Sequence, residues 1–362
     1  MTVLSKIKKR LIANGLLVVI TLLSYGAVYV SPQTYWLAGF MALLIPLWLV
    51  LNGLFVFYWL TRRSAYLFLS LSMLMLGATF LQSTLAFDLG TSTKDSTHFS
   101  VLSYNVRVFN VYDHLQDEDS ASSKEMINWV IEHKAEIKCL QEMYNEDSSR
   151  LFNTVDRIAR SGDYNYYLTP VPNDNQYKGG FFGLAIFSKY PILNSGELPL
   201  SENRGNRCLF VDVLIRKDTL RIYNVHLQSM SIDEKSLLEN ESAAASPYQD
   251  LIKRLKRGFE ARAKQIEIVE EHLRACPYPV IVSGDFNETP YGYVYHYLKG
   301  SLHNAFEKAG NGLGFSYNGR LFFLRIDHQF FDQRLAINSF KTHRNISYSD
   351  HFPIVGTYAF RD

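Results

Sequence analysis

Hydrophobic positions fall into two regimes along the chain. Before Phe87 they form three nearly unbroken stretches, residues 11–30, 35–60 and 65–87, none with a charged residue in its interior. Each reaches the length of about 20 apolar residues that crosses a bilayer as a helix. A cleaved signal peptide would have a shorter apolar core and no further spans behind it. The pattern therefore predicts three transmembrane helices in residues 1–87. Lys6, Lys8, Lys9 and Arg10 precede the first span, and Arg62 and Arg63 lie between the second and third. Cytoplasmic loops collect such charges, so the N-terminus is expected in the cytoplasm and everything after Phe87 outside it. Tyr35, Trp36, Tyr58 and Trp59 sit at span ends, where aromatic rings favour the interface.

Residues 88–98 are polar and read as a linker. From Phe99 onward, short runs rich in Val, Ile, Leu and Tyr alternate with amphipathic segments. Strands are predicted over 99–106, 137–142, 164–169, 183–188, 208–215, 220–226, 280–285, 325–331 and 354–360. Lys217-Asp218 is read as a turn between two of them. Helices are predicted over 122–133, 148–161 and 247–275. Many strands with few helices imply an α+β domain over residues 99–362, with two sheets packed together and helices outside.

Five segments at the ends of strand-like runs then change the picture. They are Ser103-Tyr104-Asn105, Leu140-Gln141-Glu142, Asn224-Val225-His226, Gly284-Asp285-Phe286-Asn287 and Ser349-Asp350-His351. Each delivers an acid, amide or imidazole to a strand terminus. Carboxylates and amides suit hard divalent cations, and histidines beside them suit the oxygens of a phosphate. If the strand continues, the spacing of two places Asp285 and Asn287 on one face, with Phe286 on the other. The set points to metal-assisted phosphoester hydrolysis.

Charge adds little, because a formal net charge of +2 argues only against holding polyanions by bulk charge. Lys253, Arg254, Lys256 and Arg257 cluster on the 247–275 helix, as a solvated face or as an attraction for anionic lipid or nucleic acid. Cys139, Cys208 and Cys276 are widely spaced, which signals neither a zinc site nor a disulfide framework. Three spans without an intramembrane charge offer no ion or substrate path, so anchoring is a simpler role than transport.

The ordered motifs, with Gly183-Leu184-Ala185-Ile186-Phe187-Ser188-Lys189-Tyr190-Pro191 and Arg325-Ile326-Asp327, resemble the endonuclease/exonuclease/phosphatase superfamily over residues 99–360. That resemblance implies a four-layer αββα sandwich, two packed mixed sheets flanked by helices, with the active site at one end. It implies a Mg2+ cofactor, with Mn2+ as the alternative ion, bound directly by Glu142 with Asn105 nearby, and with Asp350 either a further ligand or the group that positions a second ion, in a one-metal or a two-metal scheme. Asp285 would orient or deprotonate the attacking water, and Asn287 would hold that water or a phosphate oxygen. His226 and His351 would contact the phosphoryl oxygens, with Asp327 keeping the His351 imidazole protonated. Arg107, Tyr177, Lys178, Arg204, Asn206 and Arg207 are candidate substrate contacts, Arg107 equally a surface ion pair. One departure is His328, where many relatives carry an aromatic residue; it bears on packing rather than mechanism.

The expected function is a membrane-anchored phosphoesterase facing the extracytoplasmic space. Its partners are membrane lipid and a phosphoester substrate, either nucleic acid or a lipid headgroup, and no protein partner is evident. A phosphomonoesterase and a non-catalytic binding module on the same fold are the alternatives.

Overall fold

The computed structural model describes residues 3–87, 98–116, 120–170, 180–200, 205–230 and 247–361. Among them, twelve strands form two six-stranded sheets, with orders β11-β12-β1-β2-β4-β3 and β5-β6-β7-β8-β10-β9. The first sheet contains β1 (Phe99–Asn105), β2 (Ile137–Asn145), β3 (Asn165–Pro170), β4 (Phe181–Ser188), β11 (Leu335–Thr342) and β12 (Ile354–Phe360). The second contains β5 (Ile192–Pro199), β6 (Arg207–Ile215), β7 (Asp218–His226), β8 (Val280–Asp285), β9 (His303–Asn304) and β10 (Asp327–Phe331). Both sheets are mixed: β1–β2 and β7–β8 pair parallel, the other pairs antiparallel.

Side-chain alternation builds the layers. Val101, Ile137, Cys139 and Ile186 from one sheet meet Leu209, Val211, Ile222 and Ile281 from the other in the central core. Their sequence neighbours Tyr104, Leu140 and Phe187 face outward onto Met126, Ile127, Val130 and Ile158 of two covering helices. Tyr223, Val225 and Val282 face the opposite way, onto Ile266, Val269 and Leu298. Strands covered on both faces read as continuous apolar runs, which is why they were legible. Three strands were not: β5 is a half-exposed edge strand containing Asn194, Ser195, Gly196 and Glu197, β9 is only two residues long, and β11 alternates only weakly.

Several boundaries differ from expectation. The turn between β6 and β7 is Arg216-Lys217, one residue earlier than expected. The helix expected from residue 148 starts at Thr154 and runs to Ser161. Its amides are met by a distant side chain, Asn145 Oδ1, which accepts from the Val155 N–H at 2.9 Å.

The N-terminal part is a helical bundle. Among the described residues, helix α1 (Val3–Ala27) is the one unbroken helix long and apolar enough to span a membrane. The other two expected spans are each broken: α2 (Leu37–Leu43) meets α3 (Ile45–Thr61) at 47°, and α4 (Leu67–Leu76) meets α5 (Ala78–Thr84) at 59°. Pro46 at the start of α3 and Gly77 between α4 and α5 mark the breaks. The bundle pairs several polar groups within an apolar interior that includes Val28, Ile45, Leu49 and Phe80, and its outside is apolar as well. Buried Asn14 donates to Ser70 Oγ at 2.6 Å and accepts from the Trp59 indole at 2.8 Å, while Asn52 donates to Thr21 Oγ1 at 3.0 Å. Leu16, Phe57 and Met75 lie 60–71% exposed.

The bundle also docks on the sheet-and-helix domain. Phe40 packs edge-on against Phe259, and Lys256 lies 5.3 Å from the Trp36 ring. Both partners belong to the long helix Pro247–Arg274. Gly39 permits this approach, since a Cβ there would fall 2.5 Å from the Phe259 ring. Thr84 and Tyr291 share a 2.7 Å hydrogen bond. Ser83 bonds to Glu307 through its hydroxyl, and its carbonyl accepts from Arg325. The predicted linker, residues 88–98, lies outside the described residues except for His98.

Candidate functional site

The functional side chains come from one end of both sheets. Asn105, His226 and Asp285 end β1, β7 and β8, and Asp327 opens the antiparallel β10. In the ladder His226 lies opposite Asp285, and Asp285 opposite Asp327, so three adjacent strands present three functional groups side by side. Gly284 makes that closeness feasible. Its φ is +152°, and a Cβ would fall 2.0 Å from the Val225 carbonyl oxygen.

Glu142 reaches the site differently from expectation. It does not end its strand; β2 continues to Asn145 and carries a bulge between Leu140 and Met143. Glu142 has φ +51° at that bulge, which aims its side chain out of the ladder. Asp285 and Asn287 share a face, although the strand stops at Asp285. Asn287 turns back with φ +50°, its N–H donating to Asp285 Oδ1 at 2.9 Å, while Phe286 enters the core.

The distances define a compact cluster. Asn105 Nδ2 donates to Glu142 Oε1 at 3.2 Å and to Asp285 Oδ2 at 3.0 Å. His226 Nε2 lies 3.5 Å from Glu142 and 3.8 Å from Asp285. His351 Nε2 lies 3.7 Å from Asp285, and its Nδ1 is 2.9 Å from Asp327 Oδ2. Burial opposes charge on His351, but Asp327 and Asp285 outweigh it and hold the imidazole proton well above the usual histidine range.

The donor set fits a hard divalent ion. Two carboxylates converge on a single amide group, leaving a concentration of negative charge with oxygen donors around it. Asp285, Asp327 and His351 also lie close enough to share an ion, but Asp327 is committed to His351 and all three are buried. Glu142, a third exposed, is the more accessible carboxylate.

Two cavities open from this cluster. One of about 690 Å3 is lined by Asn105, Glu142, His226, Asp285, Asn287, Asp350 and His351, together with apolar residues of the bundle. The other, of about 450 Å3, shares Glu142 and His226 and adds Arg107, Asn206 and Gln228. Asp350 accepts from Ser349 Oγ at 3.1 Å. Arg107 forms an ion pair with Asp113 at 3.3 Å. Arg207 is not a substrate contact, because its guanidinium is buried against Glu197 at 2.8 Å. Tyr177, Lys178 and Arg204 lie outside the described residues. In the basic helix cluster, Arg254 and Lys256 pair with Asp250 and Glu260 one turn away.

Supporting groups were missed in the sequence. Gln141 and Asn224, read only as parts of motifs, join the sheets: Gln141 Nε2 donates to Asn224 Oδ1 at 2.6 Å, and Asn224 donates to the carbonyls of Leu140 and Ala185. Asn224→Leu withdraws all three bonds in a dry core and is expected to lower stability by about 2–4 kcal/mol, read by thermal unfolding of the full chain in detergent. Ser349 Oγ donates to the Asn105 carbonyl at 2.8 Å, and Ser316 Oγ accepts from the Asp327 N–H at 3.0 Å. Ser349 stands inside a motif, whereas Ser316 lies in an irregular segment with no periodic signal. His328 fills an aromatic position, packed against Tyr295 and Phe286. Its Nε2 meets the Glu288 carbonyl at 2.8 Å, and burial keeps the ring neutral.

Comparisons with known proteins agree on the domain. A family model described as "Endonuclease/Exonuclease/phosphatase family" matches residues 102–351, and one described as a domain of unknown function matches residues 6–84. No curated protein matches the chain. Among solved structures, an endonuclease/exonuclease/phosphatase family protein from Bacteroides thetaiotaomicron is 20% identical, with 74% of this chain and 99% of that chain covered, at a TM-score of 0.52. The human nocturnin catalytic domain with bound sulfate is 16% identical, with 74% and 97% covered, at 0.52. The mannosyl-6-phosphatase of Bacteroides thetaiotaomicron is 20% identical, with 72% and 100% covered, at 0.51. At these identities the likeness is one of fold.

Proposed function

Because the chain belongs to the endonuclease/exonuclease/phosphatase family, we propose that it is a membrane-anchored, Mg2+-dependent phosphoesterase that hydrolyses a phosphodiester by direct attack of water. The observation carrying this reading is the meeting of Glu142, Asp285, His226 and His351 in one cavity, with Asp327 behind His351. Asp285 takes the proton of the attacking water; its oxygens are held by Asn105 and Asn287, which fix its direction. His351, kept protonated by Asp327, and His226 stabilise the charge spread over the phosphoryl oxygens. Glu142 and Asn105 would hold the cation, with Asp350 close by. Bound there, it supplies Lewis-acid neutralisation of the phosphate. The ester oxygen departs and is protonated from solvent. A phosphate between two cavities has room for a substituent on each side, which favours a diester over a monoester.

The anchor reading rests on the apolar outside of the bundle, where Leu16, Leu54, Phe57 and Met75 are exposed while the buried polar side chains pair with one another. Arg10 lies over the Tyr58 ring, with Arg62 nearby, at the end of the bundle away from the catalytic layers. That placement suits a cytoplasmic basic end and an extracytoplasmic catalytic domain, with each broken pair serving as one span.

Hydrolysis of bis-p-nitrophenyl phosphate by the full chain in detergent, dependent on Mg2+ and lost with EDTA, is the expected result; a folded protein inert with every divalent ion refutes the proposal. A finer test is the pH profile. Activity requires His351 protonated, so it falls as pH rises through the elevated pKa. Asp327→Asn removes the carboxylate that raises it, and the alkaline limb of kcat/KM should move down by about one to three pH units.

A further inference from the structure

We propose that the substrate is a lipid: a phosphodiester whose hydrocarbon part lies in the larger cavity against the N-terminal bundle, and whose polar substituent lies in the smaller one. The inference rests on the phosphodiesterase reading and adds the substrate class. The cavity that contains Glu142, His226 and Asp285 is walled by Leu43, Leu44, Pro46 and Leu47, from the α2–α3 bend. Leu44 and Leu47 are 42% and 46% exposed, so that wall is continuous with the apolar outside of the bundle. Leu255 and Phe259 of the catalytic layers line the same cavity.

An aliphatic corridor thus joins the bundle surface to the reacting groups. Each methylene that leaves water for such a surface tightens binding by a factor of roughly four. A nucleic acid strand is served poorly here, because its neighbouring phosphates need cations along the path. Among the described residues the one Arg or Lys lining this cavity, Arg325, is already placed over the Phe306 ring and bonded to the Ser83 carbonyl. The smaller cavity sets Arg107, Asn110, Asp113, Asn206 and Gln228 beside Val108, Phe182 and Leu184, and those polar groups can receive a hydrophilic head.

The test uses p-nitrophenyl alkyl phosphodiesters, methyl to dodecyl, below their micellar concentrations, with the full chain in nanodiscs and Mg2+. We expect kcat/KM to rise at least about tenfold from methyl to dodecyl. Leu255→Gln, and separately Leu47→Gln, should cut the dodecyl value by about tenfold and leave the methyl value unchanged. Methyl turnover also reports that each variant is folded. A flat chain-length series with normal methyl turnover overturns the lipid inference and leaves the phosphodiesterase reading standing. So does plasmid nicking that the two leucine variants leave intact while alkyl length has no effect. No hydrolysis of any diester overturns both readings.

Discussion

Asp285→Asn is expected to lower phosphodiester hydrolysis by about a thousandfold or more while the protein still folds. The substitution keeps the shape of a side chain that is 1% exposed, so packing around Phe286 and Asn287 is preserved. What it removes is the charge. The carboxylate is the group within 3.7–3.8 Å of both histidines, and one of two acidic groups converging on Asn105. An amide at that position accepts no proton from water. It also weakens the field that keeps His351 charged, so base and electrophile are lost together. A thousandfold loss corresponds to about 4 kcal/mol of transition-state stabilisation. Steady-state rates beside a thermal melt decide the matter: a rate within tenfold of the parent at unchanged stability would remove Asp285 from the chemistry.

Glu142→Gln should act on the ion instead. The side chain projects from a bulge, and its Oε1 contacts groups of the site, Asn105 and His226. Glutamine preserves size and the Asn105 contact but removes one negative charge from the cation's surroundings. The Mg2+ concentration giving half-maximal rate is expected to rise at least about tenfold to a hundredfold, with part of the rate recovered at high Mg2+. Glu142→Ala should recover less. Titrating rate against Mg2+ for parent and variants reads this directly. An unchanged Mg2+ requirement would move the ion to the buried cluster of Asp285, Asp327 and His351.

Much of the domain was legible because its strands are covered on both faces, so apolar runs mark them whatever their partners. Val280–Asp285 and Ile354–Phe360 were read with the bounds the structure has. Asn105, His226 and Asp285 stand at strand ends, as the motifs indicated, whereas Asp327 opens a strand expected to start at residue 325, and His351 follows an irregular segment and joins Tyr317 in an isolated bridge. The bulge at Glu142, the turn at Asn287 and the capping of residue 154 by Asn145 were hidden, because each depends on a partner distant in sequence or on a backbone conformation without a residue signature. Arg207 misled for a related reason: a basic residue beside a site looks the same in sequence whether it faces substrate or Glu197.

Local sequence determined which residues are apolar, which segments extend, and which acids, amides and imidazoles end a strand, since these follow from side-chain chemistry and the two-residue period of a strand. The tertiary structure alone decided that Asp327 stands behind His351, that Gln141 and Asn224 are spent on joining sheets, and that leucines of the bundle wall the cavity that holds Glu142, Asp285 and both histidines. Those facts join residues up to 308 positions apart, as Leu43 and His351 around one cavity, and such proximity is set by packing two sheets and a bundle together rather than by any one segment's preference.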